Sequence, residues 1–131
     1  MKKRGIINDR LSLALAQLGH GDWIVVADAG LPIPREVPRI DLALVLGVPS
    51  FREVVQAIAG ELVIQRLLVV AEMRDKNPEA RRFLQEQFPD VPLEEVPHAE
   101  FKELVRRAKA VVRTGEATPY ANVILEAGVV F

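Results

Sequence analysis

The run "WIVVA" at Trp23–Ala27 constrains this chain more than any other feature. It is too short for a helix, rich in β-branched residues, and apolar without a polar alternation. A strand with one wet face alternates, so a continuous apolar run marks a strand covered on both faces. It closes at Asp28 and Gly30, which are turn residues. Similar runs follow in "IDLALVLG" (40–47), "QRLLVVAEM" (65–73), "AVVRT" (110–114) and "NVILEAGVVF" (122–131), with a short candidate in "VPLEEVP".

Helical signals alternate with these runs. Asn8 reads as an N-cap with Asp9 in the first turn, and Leu11, Ala14, Leu15 and Leu18 recur at helical spacing until Gly19 ends the helix. Ser50 with Glu53 forms a capping box before Phe51, Val54, Val55, Ile58 and Leu62. Asn77-Pro78 is a second cap, with proline at the first helical position. "AEFKELVRRAK" turns Phe101, Leu104, Val105 and Ala108 inward. The Pro-rich "LPIPREVPR" is a loop. Strands alternating with helices predict an α/β fold: three layers, α/β/α, around a mostly parallel, mixed sheet. The 131 residues suit a single domain, 1–131, and at 50% hydrophobic residues they can bury a core.

Composition removes several function classes. A net charge of -1 offers no basic excess for nucleic acid. With no cysteine there is no disulfide, thiolate nucleophile or cysteine zinc site. The N-terminus carries basic and then apolar residues, but Asn8, Asp9, Arg10 and Gln17 interrupt any signal-peptide core. No run approaches the ~20 residues of a membrane span. The expectation is a soluble, cytoplasmic protein without a nucleic-acid or membrane partner. "ADAG" and "VRTGEATP" match no nucleotide-binding fingerprint, and no serine sits in a nucleophile elbow.

In a parallel α/β sheet, ligands bind outside the carboxyl ends of the strands. Attention therefore falls on Asp28 and on the loop after "AVVRT". Asp28 reads either as a turn former or as a carboxylate gripping a polar ligand. His20, between Gly19 and Gly21, reads either as a helix-end residue bonding a free carbonyl or as a proton donor near neutral pH. His98 reads as a cap for the following helix or as a ligand contact. His20, Asp28 and His98 are metal-ligand types, but their spacing matches no compact zinc pattern. Tyr120, Ala121 and Asn122, stiffened by Pro119, supply directed hydrogen bonds suited to a polyhydroxylated ligand, or form a turn with the phenol packed on a neighbour.

Five segments carry a resemblance: "KKRGIINDRLSLALAQLGHGD", "VVADAGLPIP", "RIDLAL", "PHAEFK" and "VVRTGEATPYANVILEAGVVF". Together they resemble the D-ribose pyranase family, in register from residue 2 to residue 131, with the L-fucose mutarotases as nearest cousins. The resemblance implies an RbsD-like fold and a cofactor-free, metal-free isomerase that interconverts the pyranose and furanose forms of β-D-ribose during ribose uptake and degradation. It implies His20 as the proton donor, and Asp28, His98, Tyr120, Ala121 and Asn122 as sugar-binding positions. Lys102, one helical turn from His98, is a further candidate. It also implies homo-oligomers, a decamer of two stacked pentameric rings, with sites at subunit boundaries. An L-fucose-type mutarotase and a non-catalytic sugar-binding accessory protein are the alternatives.

Overall fold

The structure, a computed structural model, describes all residues, Met1–Phe131. Eleven elements follow one another: α1 (Asp9–Ala16), β1 (Trp23–Ala27), β2 (Arg39–Asp41), α2 (Phe51–Ala59), β3 (Ile64–Val70), α3 (Met73–Lys76), α4 (Pro78–Gln87), β4 (Leu93–Val96), α5 (His98–Val105), β5 (Ala110–Arg113) and β6 (Val123–Ala127). The strands form one six-stranded sheet in the order β2-β5-β1-β6-β3-β4. β1 is parallel to β5, β5 to β2, and β3 to β4, while β6 runs antiparallel to both β1 and β3. Five strands therefore point one way and β6 points back between them.

The local chemistry explains the elements. Asn8 accepts from the Leu11 N–H and opens α1. Ser50 and Glu53 bond reciprocally, closing the capping box of α2. Asn77 accepts from the Ala80 N–H ahead of Pro78 and opens α4. The central strands are buried from Ile24 to Ala27, from Leu67 to Val70 and from Val123 to Leu125. α2 and α4 pack on each other. Crossovers between parallel strands are right-handed as a rule; applied to this strand order, the rule sets α2 and α4 on one face of the sheet and α5 on the other, a three-layer arrangement.

Three expectations need correction. α1 ends at Ala16, with Gln17 as its C-cap, before Gly19 is reached. The strand anticipated across "IDLALVLG" stops at Asp41; beyond it Val45 and Val48 form an isolated bridge, and Leu44, Val45 and Leu46 are exposed. These residues have an apolar sequence but no sheet neighbour to cover them. His98 does not cap α5: Pro97 is the N-cap and no side chain caps the helix.

Candidate functional site

Because β6 is antiparallel, its first residues meet the carboxyl ends of the parallel strands. Asp28 follows β1, Thr114 follows β5, His98 follows β4, and Asn122 precedes β6 at that same edge. Asp28 and Asn122 are locked together. The Asp28 N–H donates to Asn122 Oδ1 at 2.8 Å, and Asn122 Nδ2 donates to Asp28 Oδ2 at 3.2 Å. Asp28 Oδ1 accepts from the Gly30 N–H at 2.9 Å. Burial pushes the Asp28 carboxyl above the usual aspartate range; bonds from Gly30, Asn122 and Leu31 pull the other way, and the nearby Glu116 charge pushes up again.

The segment after β5 fixes the Asp28 loop. Thr114 Oγ1 donates to the Ala27 carbonyl at 2.8 Å and accepts from the Glu116 N–H at 3.1 Å. The Ala29 N–H donates to the Glu116 carbonyl, and Arg113 Nε donates to the Ala29 carbonyl at 3.0 Å. Thr114 and Asn122 are buried polar residues with their bonds made inside the chain.

Tyr120 has φ 57°, a left-handed backbone that a bulky residue adopts at a cost of about 1–2 kcal/mol. That turn brings its ring edge-on to His98, with centroids 5.5 Å apart and planes at 90°. His98 Nδ1 is buried and has no hydrogen-bond partner in the chain. Asn77, besides capping α4, donates through Nδ2 to Thr118 Oγ1 at 3.0 Å and to the Pro119 carbonyl at 2.8 Å. It thereby tethers the loop that presents Tyr120. Sequence reasoning saw Asn77 only as a cap; its free amide hydrogens were the overlooked signal. Lys102 is exposed on α5, one turn beyond His98, and makes no ion pair or hydrogen bond within the chain.

Asp28, His98, Tyr120, Ala121 and Asn122 thus share one edge of the sheet, and His20 does not. His20 precedes β1 while Asp28 follows it, so the strand alone separates them by roughly 16 Å at about 3.3 Å per residue. The Gly21 N–H donates to the Ala127 carbonyl, which ties the His20 turn to the far end of β6. The imidazole is exposed and bonds no free carbonyl of α1; its Nε2 lies 3.0 Å from Gln65 Oε1. Asp28 therefore cannot position the His20 of its own chain. The order of the sequence already contained this: residues flanking one strand lie at opposite edges.

The family model described as the RbsD / FucU transport protein family matches residues 1–130. The chain belongs to that family. A D-ribose pyranase from Bacillus licheniformis is 53% identical over 131 residues, 100% of both chains. One from Chloroflexus aggregans is 53% identical over the same full length. Among solved structures, Bacillus subtilis RbsD complexed with D-ribose superposes with a TM-score of 0.97, at 49% identity, covering 100% of both chains. The fucose mutarotase from Streptococcus pneumoniae, in complex with L-fucose, reaches a TM-score of 0.76 at 26% identity over 95% of each chain. This member of the RbsD / FucU family is therefore more similar to the ribose-named chains than to that fucose-named one. None of its helices is long and apolar enough to cross a membrane.

Proposed function

We propose that the protein is a D-ribose pyranase, interconverting the pyranose and furanose forms of β-D-ribose in the cytoplasm. The observation that carries this reading is the full-length likeness, at about half identity, to proteins named for that activity. The geometry supplies the means. Half-buried Asp28 and Tyr120 offer a carboxylate and a phenol at one edge, Asn122 holds Asp28 in place, and the His98 ring packs edge-on against Tyr120.

The site is completed by a second copy of the chain. His20 stands at the far edge, exposed, and faces outward from its own Asp28. At the other end of β1, Asp28, His98 and Tyr120 are half-buried. The adjoining cleft, about 130 Å³, is lined by Phe51, Arg52, Asn77, Phe83, Glu116 and Thr118 and includes only Ala121 of the anticipated positions. A ring of chains joined head to tail presents the His20 edge of one subunit to the Asp28 edge of the next, which fits a decamer of two stacked pentamers.

The reaction needs only proton movement. Imidazolium His20 gives a proton to the ring oxygen as the C1–ring-oxygen bond breaks and its electron pair passes to that oxygen. The anomeric hydroxyl loses its proton to Asp28, whose raised proton affinity suits it as a base, and the C1=O bond forms. After rotation of the open-chain aldehyde, the C4 hydroxyl attacks C1 in place of the C5 hydroxyl. Neutral His20 takes up that hydroxyl's proton, and Asp28 returns a proton to the carbonyl oxygen. A general acid of this kind contributes about 10²–10⁴ in rate.

Saturation-transfer NMR on ribose anomers tests this. His20→Ala and Asp28→Asn should each abolish the enhanced exchange. A refolded mixture of the two variants should regain roughly a quarter of wild-type activity, from sites that pair one intact half from each chain. A wild type that shifts ribose signals without speeding exchange would make it a binding protein. Faster exchange of L-fucose than of D-ribose would make it a fucose-type mutarotase.

A further inference from the structure

Gln65 and Glu126 lie outside the sugar-facing edge, yet they form the only hydrogen-bonded connection that the His20 imidazole makes within the chain. Glu126 lies on β6, where Oε2 accepts from Trp23 Nε1 at 2.8 Å and from Arg66 Nε at 3.1 Å, with a second, shorter contact from Arg66 Nη2. Its other oxygen, Oε1, accepts from Gln65 Nε2 at 2.7 Å. Burial pushes the Glu126 carboxyl up, but the donors from Gln65, Trp23 and Arg66 outweigh it and hold the group below the usual glutamate range.

An ionised carboxylate only accepts hydrogen bonds. Gln65 must therefore turn its NH₂ toward Glu126, because the reverse orientation would set a carbonyl oxygen 2.7 Å from a carboxylate oxygen. That leaves Gln65 Oε1, an acceptor only, facing His20 Nε2 at 3.0 Å. The nitrogen opposite an acceptor must carry the proton. Nδ1 has no partner within the chain.

We infer that Gln65 is a positioning residue that fixes neutral His20 as the Nε2–H tautomer, making Nδ1 the atom that exchanges a proton with the sugar. Polarity runs one way along the chain: His20 donates to Gln65, Gln65 donates to Glu126, and Trp23 and Arg66 donate to Glu126 from the other side. The turn around His20 is held independently. Asp22 Oδ2 accepts from the Gly19 N–H at 2.8 Å, and Gly21 takes φ 85°. Gln65 thus governs the ring's rotation and tautomer, not the course of the backbone. After each proton transfer to the ring oxygen, His20 returns to a neutral state whose lone pair already points outward, ready for the proton of the attacking hydroxyl.

The inference rests on His20 as the proton donor, and its test separates the two. Nitrogen-15 NMR of histidine-labelled protein, at a pH where the ring is neutral, should show a protonated Nε2 and a bare Nδ1 in the wild type. Gln65 is exposed, so Gln65→Leu should fold. It should populate both tautomers and lower kcat by about tenfold, with KM little changed. The double variant Gln65→Glu, Glu126→Gln keeps the polarity, since the new amide donates to the new carboxylate and the carboxylate accepts from Nε2. It should restore the single tautomer and a kcat above that of Gln65→Leu. A wild-type Nδ1–H tautomer, or a Gln65→Leu protein with unchanged tautomer or undiminished kcat, would overturn the assignment. A wild type with no anomer exchange would instead remove the pyranase reading.

Discussion

The Asp28–Asn122 pair yields a prediction whose size and sign both follow from its geometry. Asn122 is 2% exposed and makes two bonds to one residue: its Oδ1 accepts from the Asp28 N–H at 2.8 Å, and its Nδ2 donates to the carboxylate at 3.2 Å. Asn122→Ala removes both. A neutral bond contributes about 0.5–1.5 kcal/mol and one to a charged group about 1.5–3. Asp28 is half-buried, so solvent takes back part of the second, and the expected loss is about 2 kcal/mol. Asn122→Asp is the more searching variant. It keeps the acceptor for the Asp28 N–H but places a second carboxylate where the amide donor was. Two unit charges 3.2 Å apart repel by about 5 kcal/mol at an effective dielectric of about 20, so the folded pair relieves itself by holding one proton. The folded state then binds more protons than the unfolded chain, and stability falls as pH rises above about 4. Urea unfolding at fixed chain concentration is the assay. Asn122→Asp should lie close to wild type near pH 4.5 and well below Asn122→Ala near pH 8. An equal deficit at both pH values would refute the reasoning, because it would mean the two side chains do not share a site.

Asn77→Ala should cost about 1 kcal/mol through the lost α4 cap and should also release Thr118 and Pro119, so KM for ribose should rise more than kcat falls; steady-state kinetics would show it. Gly115→Ala should destabilise by more than about 3 kcal/mol. A Cβ there would lie 2.4 Å from the Val48 carbonyl oxygen and 2.6 Å from that of Val45, backbone atoms that cannot swing aside, and a thermal melt would register the loss. For Glu126, burial raises the pKa, but the bonds from Gln65, Trp23 and Arg66 bring it below the usual value. Its stabilisation is therefore in place above about pH 4.5 and is lost as pH falls through the depressed folded value. Glu126→Gln should flatten the acid limb of the stability curve, measured by urea midpoints between about pH 3 and pH 6.

The helix starts at Asn8, Ser50 and Asn77 were legible in the sequence because a cap is local chemistry: one side chain and an N–H two or three residues on. The buried strands were legible because a run such as "WIVVA" has few other uses. The same logic overextended β2, since burial depends on what lies over a side chain in space, and the side chains of Leu44, Val45 and Leu46 are left exposed. The direction of β6 was hidden for a similar reason: alternation has the same period whichever way a strand runs. α3 has only four residues and too little periodicity to announce itself. For the site, residue types on the carboxyl edge could be picked out one by one. The partners that hold them, Thr114 and Asn77, and Gln65 beside His20 at the opposite edge, act through bonds spanning 41 to 87 positions and could be found only once the chain was folded.

The opposite placement of His20 and Asp28 on either side of β1 separates folding from function. On the proposed head-to-tail reading, a lone subunit would carry two unmatched halves, an imidazole at one end of β1 and a sugar grip at the other. Dilution below the point where rings come apart should silence the protein while its circular dichroism stays unchanged, and concentrating it should bring activity back. Damage confined to the contacts between subunits would be as disabling as loss of the imidazole itself.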